Sequence, residues 1–167
     1  MKRSRLIISR FFILLVSLFF LVCAGIALSA DEARIGALIN ILQDRSKNSN
    51  ERAVAALQLG VEGEDSDVAA RVLVEALRSD SDADVRKSAA RGLGAVGLPN
   101  DTYIQALIDT LTNDDSPAVR IAAVEGLTVI GRDSATAAQA LKNTAENDGN
   151  ATVRQKAAQA FKQITSD

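Results

Sequence analysis

Arg52, Arg86, Arg120 and Arg154 recur every 34 residues, and Asp80, Asp114 and Asp148 stand six positions before the last three of them. A guanidinium is a rigid fork of donors that suits a carboxylate or a phosphate. Such a row can bind an anionic ligand. It can also form a ladder in which each Arg bonds a turn carboxylate or carbonyl of its own unit or the adjacent one. A residue needed for stacking recurs in every unit, whereas a ligand site need not. Two acidic runs, SDSDAD (79–84) and NDD (113–115), superficially suggest calcium. A calcium loop needs a fixed register of oxygen ligands around a central glycine, which neither run supplies, so both read as capping acids in solvated turns. The glycines of GLGAVG (92–97) follow no strand, so a dinucleotide-binding loop fails on context.

Composition narrows the chemistry further. The 167 residues carry a formal charge of −2, but that balance is the sum of two unlike parts. Residues 1–30 hold four of the five Phe, the only Cys (Cys23), the cations Lys2, Arg3, Arg5 and Arg10, and no acid. Residues 31–167 therefore carry 15 cations against 21 acids, a charge of −6, and contain no His, Cys, Trp or Met. That excludes the usual zinc sites, disulfides, a Cys nucleophile and a Ser-His-Asp triad from this part. Tyr103 and Phe161 are its only aromatics, so it lacks both the basic patch and the stacking platform of a nucleic-acid binder. No enzyme activity, cofactor, metal or nucleic-acid partner is expected.

Residues 1–30 read as a leader. A basic stretch (1–10) precedes 18 uncharged positions (11–28), then small residues, then Asp31 and Glu32. That order describes a secretory signal peptide. Cleavage after Ser29 places Ala27 and Ser29 at the specificity positions; cleavage after Ala30 fits less well because of Leu28. The same 18 residues, at about 1.5 Å each, reach roughly 27 Å, enough for a single N-terminal membrane anchor. Both readings carry residues 31–167 out of the cytoplasm, to the periplasm or beyond. Cys23, after the bulky Val22, does not suit lipoprotein processing and reads as one more apolar residue.

The elements that position the charged columns come from internal repetition. VRKSAARGLGAVG (85–97), VRIAAVEGLTVIG (119–131), VRQKAAQAFKQIT (153–165) and ERAVAALQLGVEG (51–63) align at an offset of 34. Ala55, Ala89, Ala123 and Ala157 hold one column, and Leu59, Leu93, Leu127 and Phe161 another. Each unit reads as two helices joined by a polar turn. Val68, Val72, Leu73, Ala76 and Leu77 mark the first helix of one unit, and Val85, Ala89, Leu93 and Val96 the core stripe of its second. Asp82, Ser116 and Asn150 are expected N-caps of second helices, with Pro117 at a first helical position. Asp67 and Asp101 are expected to cap first helices, and Gly97 and Gly131 to end second helices in the left-handed conformation. The alanine columns let neighbouring helices approach closely. Ala supplies 25 of the 137 residues from 31 on, so the core is built from small aliphatics. The first unit is expected to carry one extra residue in its turn (DRSKNSN), and the last is polar, as suits terminal units.

The motif DSDADVRKSAARGLGAVG resembles the HEAT-like repeat of the phycobilisome-lyase type. The resemblance covers all four units, about 31–66, 67–100, 101–133 and 134–167. It implies an all-α fold: a short right-handed α-solenoid of four two-helix repeats, preceded by one hydrophobic N-terminal helix. HEAT-family repeats use their Asp and Arg columns as a ladder, so the resemblance favours that role for Arg52, Arg86, Arg120, Arg154, Asp80, Asp114 and Asp148. In related solenoids the second helices line a concave binding surface. The expected outward columns read Ala53, Lys87, Ile121, Gln155 and Leu57, Arg91, Glu125, Gln159.

The expected function is a non-enzymatic protein-binding or scaffolding module of the cell envelope, whose partner meets Leu57, Lys87, Arg91, Ile121, Glu125, Gln155 and Gln159. Two alternatives stand beside it. One is a bilin-lyase-like enzyme subunit or chaperone, as the resemblance allows. The other is a structural or assembly factor tethered to the membrane through residues 11–28.

Overall fold

Helices start in this chain where a short polar side chain can take an orphan backbone N–H, and the computed structural model places seven such starts. It describes residues 31–166. The hydrophobic segment 11–28, its cleavage or anchoring, and Cys23 lie outside the described residues. Residues 31–43 are helical (α1). There follow α2 (Ser49–Glu62), α3 (Asp67–Ser79), α4 (Ala83–Val96), α5 (Asp101–Asn113), α6 (Pro117–Ile130), α7 (Ala135–Asn147) and α8 (Ala151–Thr165). The described residues contain helices, turns and no strand. No helix among them is long and apolar enough to cross a membrane. Helices α2 to α8 all lie in one compact unit, which begins at Ala37.

Asn48, Ser66, Asp82, Asn100, Ser116, Ser134 and Asn150 are the N-caps of α2 to α8. Ser116 makes no side-chain cap bond; Pro117 behind it starts α6 with a fixed helical φ and one orphan donor fewer. The caps of α3 and α5 are Ser66 and Asn100, not Asp67 and Asp101 as the sequence suggests. Each Asp instead begins its helix, where a carboxylate favours the positive end of the dipole. Gly97 ends α4 at φ 79°, but Gly131 sits at φ −99° and ends α6 through a 2.9 Å bond to Leu127 O. Among the described residues, left-handed closure by a glycine is therefore used once, at Gly97, while Asp65 takes a left-handed φ of 57° in the turn after α2. The turn between α1 and α2 spans residues 44–47 before its cap, against 80–81 in the next unit. It is longer by two residues, not one.

The helices form two layers. α2, α4, α6 and α8 pack on one another in order, α3, α5 and α7 do the same beside them, and each pair is joined through its own turn. Val85, Val119, Val153, Ala55, Ala89, Ala123, Ala157, Leu59, Leu93 and Leu127 are buried in the seam between layers. Each Leu stabilises the fold by about 1.5–3 kcal/mol of burial. Phe161, the fourth member of the Leu column, is only half-buried. Val68 is exposed and does not join the core stripe of α3, which begins at Ala69.

Glycine, more than alanine, sets how closely the second helices approach. A Cβ on Gly60 would stand 2.4 Å from Gly92 Cα, and one on Gly92 would stand 2.5 Å from Ala56 O. One helix further on, a Cβ on Gly94 would stand 2.8 Å from Gly126 Cα. Real side chains do not tolerate such contacts, so α2, α4 and α6 meet backbone to backbone. Thr128 and Ala160 hold the corresponding positions between α6 and α8.

Candidate interaction surface

The caps and the 34-residue period fix where each charged column falls. Arg86, four residues past its cap Asp82, reaches two ways. Its Nη1 donates to Asp80 O at 3.0 Å in its own turn, while Nε and Nη2 donate to Asp114 Oδ2 and Oδ1 of the next unit at 2.8 and 3.1 Å. Arg120 repeats this with Asp114 O (2.8 Å) and Asp148 (2.8 and 2.9 Å). Arg52 bonds Lys47 O at 2.5 Å and Asp80 at 3.1 and 3.0 Å. Arg45 also donates to Asp80 Oδ2, at 2.6 Å. One oxygen of each Asp is used again: Oδ1 of Asp80, Asp114 and Asp148 accepts the backbone N–H two residues on, at 2.9, 2.9 and 2.7 Å. One carboxylate thus holds its own turn and the preceding unit's Arg.

Electrostatics follow from that geometry. Burial pushes Asp80, Asp114 and Asp148 upward, but the Arg hydrogen bonds, the turn N–H groups and the nearby cations outweigh it. All three are held below the usual carboxylate range. The same hydrogen bonds raise Arg52, Arg86 and Arg120 above their ordinary value. Every fork but one is filled by protein. Arg154 keeps only the carbonyl bond, to Asp148 O at 2.7 Å, and meets no carboxylate among the described residues.

The outward columns divide. Leu57, Arg91, Glu125 and Gln159 are all exposed, and Arg91 Nε donates to Glu125 Oε2 at 2.8 Å, so this pair spans α4 and α6. The other column turns partly inward. Ala53 is buried, Lys87 and Ile121 are half-buried, and Gln155 is exposed. Lys87 is paired with Asp84 at 2.5 Å.

Sequence reasoning missed the most exposed apolar residues. Val61 is 73% exposed and Val129 is 54% exposed, one turn past Leu57 and Glu125 on the same faces. The column they share (61, 95, 129, 163) was signalled by valine at positions where a stripe of core spacing has none. Val54 is also exposed, as is Lys156 at the same place in the last unit, while Ser88 and Ala122 there are buried.

Two shallow grooves flank these helices. One lies between α5 and α7, along Ile108, Thr112, Gln139 and Asn143; the other runs along Ile41, Glu51, Val54 and Gln58. Among the described residues, no three His, Cys, Asp or Glu side chains group as metal ligands. Nor is any buried side-chain polar atom there without a hydrogen-bond partner.

Paired helices, a 34-residue period and a unit-to-unit Arg–Asp ladder are joined by a family match. The model for HEAT repeats matches residues 70–162, more than half of the chain. The chain belongs to the HEAT-repeat family. This HEAT-repeat chain is also similar in fold to a chain in the complex of CpcE and CpcF of phycocyanin lyase from Nostoc sp. PCC7120. The TM-score is 0.64 at 23% identity, over 80% of this chain and 88% of that one. At that identity the likeness is one of fold. No curated protein matches the HEAT-repeat chain in sequence.

Proposed function

We propose that this HEAT-repeat chain is a non-enzymatic protein-binding module that receives its partner on the outward face of the second helices. The observation that carries the reading is the exposure of Leu57, Val61 and Val129 beside the Arg91–Glu125 pair. Aliphatic patches rimmed by charge suit a protein contact of modest size. With no aromatic on that face, no single side chain dominates the affinity. Leu57→Asp with Val61→Asp is the direct test, against Lys142→Asp, exposed on the first helix α7, as control. Partner capture falls at least tenfold in the double variant and is unchanged in the control, with helicity equal in all three. Equal capture by the double variant rejects the face.

The order of charges in residues 1–30 supports an extracytoplasmic placement. The chain is then released by cleavage near Ser29 or Ala30, or held by a membrane anchor at 11–28. Carbonate extraction with mass measurement of the mature N-terminus separates the two, and recovery of the uncleaved chain in the cytosol rejects both. A second reading, a bilin-lyase-like subunit, draws support from the fold shared with a phycocyanin lyase complex. Mixing the protein with free bilin tests it: a stoichiometric absorbance shift supports that reading and an unchanged spectrum rejects it.

A further inference from the structure

First helices are tied to one another by side chains at one column, Glu75, Asp109 and Asn143, and the tie is missing between α5 and α7. Glu75 Oε2 accepts from Gln43 Nε2 at 3.3 Å, and Asp109 Oδ2 meets Arg78 Nη2 at 3.9 Å. Where that second pair stands, the α5–α7 groove has Thr112 and Asn143 instead. Among the described residues no hydrogen bond or ion pair crosses from α5 to α7. The groove stays open, at about 660 Å³, although α6 packs on α5 and α8 packs on α7. Ile108, Leu111 and Ala140 supply its apolar lining. Asp148, the one charged residue that lines it, already accepts from Arg120 and from Asn150 N. Gln139, Asn143 and Asn147 line it along α7 at steps of four residues, all exposed. Gln139 Nε2 donates to Asn143 Oδ1 at 2.8 Å, and Asn147 Nδ2 donates to Asn143 O at 3.0 Å. Gln139 Oε1, Asn143 Nδ2 and Asn147 Oδ1 remain for another molecule, in the order acceptor, donor, acceptor.

We propose that this groove receives an extended, uncharged segment of a partner protein and holds it by its main chain. Spacing is the first match. Four helical residues rise about 6 Å and two extended residues about 6.6–6.8 Å, so the amide row keeps step with the edge of such a segment. Alternation is the second. A strand edge presents N–H and C=O groups in turn, as the row presents acceptors and a donor. Alternate side chains of the segment then meet Ile108 and Ala140. Charge complementarity selects the occupant. A charged side chain entering the groove loses water and finds no free opposite charge, whereas a neutral main chain finds partners. Main-chain bonds give affinity in the way a strand adds to a sheet edge. The groove belongs to the first helices, apart from the outward face carrying Leu57 and Val61, and neither Gln105 nor Lys142 lines it. Either surface can fail alone.

The probe is an eight-residue peptide of alternating serine and valine, acetylated and amidated at its ends. It is added to the full chain in detergent solution. NMR follows the side-chain amides of Gln139, Asn143 and Asn147 and the backbone signals of Leu57 and Val61. The expected result is a saturable shift at the three amides and none at Leu57 or Val61. The same peptide with its main-chain nitrogens methylated binds about tenfold more weakly or worse, because the acceptors of the row are left unpaired. Asn143→Asp keeps the acceptor for Gln139 and removes only the donor, and it weakens binding by about tenfold. Thr112→Arg with Asn143→Asp rebuilds across the groove the pair that Arg78 and Asp109 make, and it abolishes binding. Lys142→Asp leaves binding unchanged. No saturable shift with peptide in the millimolar range, equal binding of the methylated peptide, or equal binding by Asn143→Asp overturns the proposal. Shifts at Leu57 and Val61 in place of the amides also overturn it and assign the segment to the second-helix face.

Discussion

Arg86 and Asp114 lie 28 residues apart in the chain and meet through two hydrogen bonds, Nε to Oδ2 at 2.8 Å and Nη2 to Oδ1 at 3.1 Å. The pair ties the second helix of one unit to the turn of the next, and its side chains are only 18% and 9% exposed. Removing one partner leaves the other without its counter-group. Asp114→Asn and Arg86→Ala are each expected to lower unfolding free energy by about 1–3 kcal/mol. Arg154→Ala, at the open rung, should cost less than about 1 kcal/mol. Urea unfolding of the three variants ranks them, and equal losses at Arg86 and Arg154 would show that the carboxylate half of each rung contributes nothing.

Acid acts through the same residues. Asp80, Asp114 and Asp148 have folded-state values below the ordinary carboxylate value, so the folded state binds fewer protons there than the unfolded state. Their contribution is fully present above the unfolded value, about 4, and is lost as pH falls through the lower folded values. Stability should therefore be flat from about pH 7 to 5 and fall below about 4. Asp114→Asn should flatten part of that fall. Denaturant midpoints measured across this range check it, and an acid limb unaltered by the substitution would assign the fall elsewhere.

Tyr103 reports the alkaline side. It is the only Tyr of the chain, 4% exposed, and its hydroxyl donates to Asp67 Oδ1 of the preceding unit. Burial first, then the hydrogen bond and charge of Asp67, push its phenol above the ordinary value of 10.0. Stability from this group is present below the unfolded value and lost as pH rises through the folded one. Ultraviolet titration should show a single phenol ionising later in the folded protein than in urea. Tyr103→Phe should cost about 0.5–1.5 kcal/mol.

The glycine contacts carry a steric consequence. Gly92→Ala puts a methyl 2.5 Å from a backbone oxygen, so the helices must part, at a cost of about 1–3 kcal/mol. Gly149→Ala, where nothing lies within 4 Å, should be neutral or stabilise by up to about 1 kcal/mol. Thermal unfolding of the two variants gives the sign of each directly.

These residues also show what a sequence can and cannot tell. A period of 34 is visible because a seam between layers demands Val, Ala and Leu at one phase, and because every unit needs the same rung. The order of two helices per unit follows from caps, which are local. Which of Ser66 and Asp67 is the cap is not legible, because both residue types suit that end of a helix. The outward columns are harder still. Ala53 is buried and Leu57, one turn on, is exposed, and how closely α2 and α4 approach is set by Gly60 meeting Gly92. That contact is a pairing of two chain segments, and no single stripe records it.

Photo-crosslinking from defined positions tests the central claim most directly. A photoreactive residue is placed at Val61 or Val129 on second helices, or at Gln105 or Lys142 on first helices, in the cells that make the protein. Binding on the second-helix face predicts a discrete crosslinked partner from Val61 and Val129, lost with Leu57→Asp, and none from Gln105 or Lys142. A partner crosslinked from Gln105 or Lys142 and not from Val61 or Val129 would contradict it.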